Sequence, residues 1–267
     1  MTETVKTEKL LLQKDGPIGW IIFNQPEKRN AVSQEMWQAM PEYVADLAAD
    51  DAIRVVILRG AGEQAFVAGA DISQFKDRRR NAADEEEYRR ISGAGSQSLA
   101  SLGKPLLAMI HGFCIGGGVS IAITCDMRIA ADDARFGIPA ARLGLGYHYH
   151  GMEKLMSLIG PAYTKELFFT ARTDFSAPDA LRMGLVNQVV PKADLERFTR
   201  DYATMMSRNA PLTLRSAKAS VDQLVRPEER RDYAMLDRLI KDCFDSQDYQ
   251  EGVKAFSEKR RPQFQGR

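Results

Sequence analysis

The chain has 267 residues, 44% hydrophobic and 27% charged content, and a formal net charge of +1. This suits one large globular domain, or one domain with a smaller appendage, and argues against a protein whose main work is gripping nucleic acid. Three cysteines, Cys114, Cys125 and Cys243, with no Cys-x-x-Cys pair, argue against a disulfide framework or a zinc site. With no apolar run near the roughly 18–20 residues of a membrane span and no secretory leader at the N-terminus, the expectation is a cytoplasmic protein in a reducing setting.

The chain opens with two apolar runs, Leu10-Leu11-Leu12 and Gly19-Trp20-Ile21-Ile22-Phe23, on either side of the turn Lys14-Asp15-Gly16-Pro17. They read as paired strands. Ser33 suits a helix cap, because Met36, Trp37, Met40, Val44 and Leu47 follow it at helical spacing. Val55-Val56-Ile57-Leu58 reads as a buried strand, Leu106 to Ile110 as another, and Met127 to Ala131 as a third. Between the last two, Gly116-Gly117-Gly118 reads as a turn that opens a buried helix over Val119 to Thr124. Strand and helix alternating with short links predict an α/β core. From about Ala162 onward the chain reads as mostly helical, with segments Ala177–Met183 (capped by Gly184), Asp194–Ser207, Leu212–Val225 and Glu229–Phe244. The sharpest charge block, Lys76 to Arg80 followed by Asp84 to Glu87, reads as a solvated loop running into a helix start, where acids suit the dipole. The expected division is a core over 1–200 and a helical region over 201–267.

Two segments stand out chemically. In Ala65-Phe66-Val67-Ala68-Gly69-Ala70-Asp71-Ile72 an apolar stretch stops at small residues, which lets a ligand lie against the main chain. In His111-Gly112-Phe113-Cys114-Ile115-Gly116-Gly117-Gly118-Val119-Ser120 three glycines open a helix. There the first N–H groups lack intrahelical partners and the dipole is positive, so a developing oxyanion can be stabilised. Each segment alone is more often a packing device.

Together these segments resemble the signature of the enoyl-CoA hydratase/isomerase (crotonase) family. So do Cys125-Asp126, Phe136-Gly137-Ile138-Pro139, Ala180 to Val186 and Phe256-Ser257-Glu258-Lys259-Arg260. The resemblance implies a ClpP/crotonase-like spiral of repeated ββα units and a C-terminal helical region that packs in a homotrimer or homohexamer. It implies an acyl-CoA thioester substrate, with coenzyme A as part of that substrate and no metal or separate cofactor. The N–H groups of Ala70 and Gly117 would hold the thioester oxygen. Ala68, Ala70, Asp71 and Ile72 would line the coenzyme A path, Lys28 or Arg29 would meet its phosphates, and Phe256 and Lys259 would reach the adenine end, often from a neighbouring subunit.

Hydratases of the family use two glutamates, one just after the glycine triplet and one after the proline of Phe-Gly-x-Pro. Here those positions hold Ser120 and Ala140. Alanine can neither activate water nor move a proton, and serine is a poor base. Gly146-Tyr147-His148-Tyr149-His150 follows, in a stretch that borders the acyl group in the family. Tyr147 also matches a tyrosine of the family's methylmalonyl-CoA decarboxylases. Tyr147 and His148 are therefore candidate catalytic groups, against the plainer reading of packing aromatics and a surface pair. Lone His111, before a glycine at a strand end, reads as structural. Three functions stay open: a hydratase-type lyase, which the whole-chain resemblance favours; a malonyl-type acyl-CoA decarboxylase; and a catalytically silent acyl-CoA-binding protein. Neither nucleic acid nor membrane is expected as a partner.

Overall fold

The computed structural model of the protein describes residues 7–71 and 82–267. The candidate Ile72 and the basic run Lys76 to Arg80 lie outside these residues, as does the side chain of His150.

Two sheets form the core. The first has strand order β1-β2-β3-β5-β7-β10 and the second β4-β6-β8-β9. Strands β1 (Leu10–Asp15) and β2 (Ile18–Phe23) pair antiparallel, as the two apolar runs around Gly16 predict. Strands β3 (Val55–Gly60), β5 (Leu106–Ile110), β7 (Met127–Ala131) and β10 (Gln188–Val190) extend that sheet in parallel. Each of β3, β5 and β7 hands the chain to a short strand of the second sheet: β4 (Ala65–Ala68), β6 (Phe113–Ile115) and β8 (Arg135–Gly137), all parallel. Strand β9 (Phe175–Ser176) closes that sheet antiparallel to β8. A helix follows each pair: α2 (Ala82–Ala100), α3 (Gly117–Ala122) and α4 (Tyr149–Thr170). The result is the expected spiral of ββα units.

The periodic residues of α1 (Gln34–Ala49) are all buried: Met36, Trp37, Met40, Val44 and Leu47. Ser33 caps the helix by accepting from the Met36 N–H. These side chains join Phe23, Leu58, Phe66, Ile110 and Phe136 in one core between the two sheets, where burial of apolar surface supplies the main driving force. The spiral stacks short strands, so each turn places a strand end beside that of the next. That stacking is what brings the ends of β4 and β6 together at the site.

The remaining helices are α5 (Ala177–Met183), α6 (Leu195–Ser207), α7 (Pro211–Leu224), α8 (Tyr233–Phe244) and α9 (Gln247–Ser257). The predicted start at Glu229 shifts to Tyr233, because Glu228–Arg230 forms a separate 3-10 turn and Asp232 supplies the cap by accepting from the Met235 N–H. Helices α8 and α9 leave an unusually apolar face to solvent. Phe244 (60% exposed), Val253 (57%) and Phe256 (88%) stand on it around a cavity of about 650 Å³ that Ile240 and Tyr249 also line. No helix among the described residues is long and apolar enough to cross a membrane.

Candidate active site

The backbone past β4 is set by a parallel bridge between Val32 and Ala70. The Val32 N–H donates to the Gly69 carbonyl (2.9 Å), and the Asp71 N–H donates to the Val32 carbonyl (3.0 Å). In a parallel bridge the central residue turns its own N–H the other way, so that of Ala70 faces away from Val32. Past β6, Gly116 takes φ 55 and ψ −111, a backbone that glycine accepts and L side chains resist. Its N–H is tied to the Gly137 carbonyl (2.8 Å). That turn aims the first helical N–H, at Gly117, out of the end of α3, where no intrahelical acceptor exists.

The two segments touch. A Cβ on Gly117 would lie 3.6 Å from the Ala70 nitrogen and 3.5 Å from the Gly69 carbonyl carbon. Among the described residues neither the Ala70 nor the Gly117 N–H donates to a protein acceptor. Two adjacent, unspent N–H groups, one of them at the positive end of a helix, have the chemistry to stabilise a developing oxyanion. Gly118 makes the approach possible: a Cβ there would meet the Val67 carbonyl oxygen at 2.0 Å.

The next candidates lie on α3 and on the segments after β8. Ser120 is on the first turn of α3, and its hydroxyl is hydrogen-bonded to the Tyr147 hydroxyl. Tyr147 is half-buried against the main core. Burial pushes its phenol above the ordinary range, with the Ser120 bond pulling weakly the other way, so Tyr147 is a neutral proton donor rather than a base. Ala140 is buried in the 3-10 turn Pro139–Leu143. Ser120, Ala140 and Tyr147 are therefore all uncharged, where the two glutamates of family hydratases would be acids.

The other candidates fall into separate places. Asp71 is buried, and its carboxylate accepts from Lys28 Nζ at 2.8 Å. That hydrogen bond raises the Lys28 pKa. Arg29 lays its guanidinium over the Phe113 ring, 4.7 Å from the centroid. Ala68 precedes Gly69 at the end of β4 and is half-exposed. His148 is exposed and stacks on Tyr149, ring centroids 4.3 Å apart. Phe256 and Lys259 belong to the C-terminal apolar face and the turn after it. His111 is buried, and its Nε2 has no partner among the described residues. Burial, more than the nearby Arg59, lowers its pKa, in keeping with a structural residue. The described residues include no group of three or more His, Cys, Asp or Glu side chains that could hold a metal ion.

Sequence reading missed two contacts of Tyr147. The Phe168 ring meets the phenol edge-on, with centroids 4.9 Å apart and planes at 69°, and a Cβ on Gly151 would come within 3.1 Å of its Cε1. Gly160-Pro161 marks an interruption in the sequence, but nothing there shows that the chain turns back to bring Phe168 onto Tyr147.

Residues 13–267 match the family model described as enoyl-CoA hydratase/isomerase. The chain belongs to that family. It is 33% identical to the short-chain-enoyl-CoA hydratase of Clostridium acetobutylicum over 257 residues, covering 96% of this chain and 97% of that protein. The crotonyl-CoA hydratase of Syntrophomonas wolfei is 31% identical over 96% of this chain and 98% of its own. Among solved structures, an enoyl-CoA hydratase/carnithine racemase from Magnetospirillum magneticum superposes with a TM-score of 0.93 at 32% identity, over 98% of this chain and 97% of that one. The crotonase fold read from the glycine segments is therefore that of this family member.

Proposed function

We propose that this chain is an acyl-CoA lyase that holds a thioester oxygen between the N–H groups of Ala70 and Gly117 and delivers a proton to the α-carbon of the resulting enolate from Tyr147. The observation that carries the reading is the hydrogen bond between Ser120 and Tyr147 on the helix whose first N–H is that of Gly117. A half-buried phenol with a raised pKa stays protonated at neutral pH and so has a proton to give. Ser120 can pass a solvent proton back to the phenolate and close the cycle. The sequence also suggested His148 for this work, but it is exposed and stacked on Tyr149, so the reading gives the proton to Tyr147.

The uncharged residues at 120 and 140 favour an enolate made without a base, the decarboxylation that stood second to hydration on sequence resemblance. In a malonyl-type thioester the bond to the substrate carboxylate breaks, CO₂ leaves, and its electron pair moves onto the thioester oxygen. The oxyanion donors stabilise that charge, and Tyr147 protonates carbon. Neutral Ser120 and apolar Ala140 spare the substrate carboxylate the repulsion that fixed glutamates would impose.

A second reading, hydration of an enoyl-CoA, is supported by relatives named as enoyl-CoA and crotonyl-CoA hydratases. There water adds at the β-carbon and loses its proton to solvent, an enolate of the same kind forms, and Tyr147 again protonates the α-carbon. Both readings include a homotrimer or homohexamer that covers the apolar face of α8 and α9 and carries Phe256 and Lys259 toward a neighbouring site. Cytoplasmic residence goes with them.

Mass spectrometry after incubation with methylmalonyl-CoA and with crotonyl-CoA in heavy-oxygen water separates the outcomes. Loss of CO₂ from the first supports decarboxylation, and heavy oxygen in the second supports hydration. Tight binding of both without any product overturns the proposal in favour of a silent binding protein.

A further inference from the structure

Helix α4 is not one rod. Gly160 interrupts it with φ 73 and ψ 169, followed at once by Pro161. That backbone region is open essentially to glycine alone, and proline cannot supply the N–H that would continue the ladder. A straight helix rising about 1.5 Å per residue would hold Gly151 and Phe168 about 25 Å apart. Yet both lie against the Tyr147 ring: a Cβ at Gly151 would sit 3.1 Å from Cε1 and 3.8 Å from Cδ1, and the Phe168 ring centre is 4.9 Å from that of the phenol. The break at Gly160 turns the second half of α4 back so that both halves hold one side chain.

We infer that Gly151 and Phe168 are positioning residues for the proton donor: they fix the Tyr147 ring so that its hydroxyl stays on Ser120 beside the oxyanion donors. The inference rests on the assignment of proton delivery to Tyr147. Carbon atoms in ordinary contact stay about 3.5–4.0 Å apart, so a methyl group at residue 151 must push the ring by several tenths of an ångström. Phe168, edge-on to the same ring, limits how freely it can yield. Small misplacements of a catalytic group cost up to about 10²-fold in rate, whereas binding of a thioester through its coenzyme A portion does not depend on the phenol.

The choice of Gly151→Ala separates this from a folding effect. Gly151 lies inside α4 and its φ is not positive, and the better helix propensity of alanine offsets the cost of displacing the ring, so the melting temperature is expected to change little. The experiment is a double-mutant cycle on the thioester that the wild type turns over. Four proteins are compared: wild type, Gly151→Ala, Tyr147→Phe and the double variant, with Phe168→Leu as a second single variant.

The inference predicts that Gly151→Ala lowers kcat by ~10- to 10²-fold with KM within about two-fold, that Phe168→Leu lowers it in the same direction, and that Gly151→Ala adds nothing in the Tyr147→Phe background. Unchanged kcat in both single variants, or an equal further loss in the Tyr147→Phe background, overturns it. If Tyr147→Phe itself keeps full activity, the assignment of Tyr147 has failed instead, and the two failures are told apart by that one protein.

Discussion

The two halves of the site are built from different material. The proposed oxyanion half is main chain: Ala70 on a bridge to Val32, and Gly117 at the open end of α3. The proposed acyl half is side chain: Ser120, Ala140 and Tyr147, with Phe168 and Gly151 against the phenol ring. A backbone donor cannot be changed by substituting its own side chain, so that half persists as long as the fold does. The side-chain half can be rewritten one residue at a time, and it is there that this chain departs from the two glutamates of its family's hydratases. On the proposed reading, the fold secures the pair of backbone donors and the individual chain decides the route of the proton.

The largest expected effect breaks the first half through packing. Gly118→Ala would drive a Cβ to 2.0 Å from the Val67 carbonyl oxygen, a backbone clash that no rotamer relieves. A destabilisation of about 3 kcal/mol or more is expected, read as a large fall in melting temperature together with loss of all turnover. Next is Tyr147→Phe, which keeps the ring packing and removes the proton. Turnover should fall by ~10²- to 10⁴-fold, the usual range for loss of a general acid, with thioester affinity unchanged by calorimetry.

A gain sharpens the same contrast. Ser120→Glu combined with Ala140→Glu places carboxylates where family hydratases have them. Hydration of crotonyl-CoA should then rise toward the ~10²-fold that one positioned acid or base contributes, while any CO₂ release falls. Ser120→Ala is milder. It leaves the Tyr147 hydroxyl without its partner, costing about 1–2 kcal/mol of stability by denaturant titration and about a tenfold loss of turnover, roughly the same energy expressed as a rate.

The smallest effect is a pH profile that stays flat. The Tyr147 pKa is raised by burial, so the protonated donor persists up to and beyond the ordinary phenol value of about 10. Turnover limited by this group therefore shows no alkaline limb below that pH. For stability the sign is the same: a folded pKa above the unfolded one gives a contribution that is complete below about pH 10 and is lost as pH rises through the folded pKa. A limb near neutral pH would point to another group.

Much of the first half was legible in the sequence. Three glycines between an apolar strand and an apolar helix leave few physical options, and the small residues from Ala68 to Ala70 complete a recognisable receptor. The ββα core was legible for a similar reason, since buried parallel strands are continuous apolar runs. The second half was legible only in its absences, at Ser120 and Ala140. That Tyr147 meets Ser120, while His148 one residue later turns to solvent, depends on a loop conformation with no periodicity to read. The contact with Phe168 depends on a helix break at Gly160 that composition alone presents as an ordinary Gly-Pro interruption. The separate cap at Asp232 was hidden because Glu229 and Arg230 are themselves good helix residues.

The most direct test of the central claim is the face on which deuterium arrives. Whichever thioester the enzyme turns over in heavy water, the product carries a new deuterium at the α-carbon, and NMR of that product after a single turnover reports its configuration. Delivery from a fixed Tyr147 predicts one configuration for the wild type, and a slower reaction with a mixture of both for Tyr147→Phe. The same rate and the same single configuration in Tyr147→Phe would contradict the account.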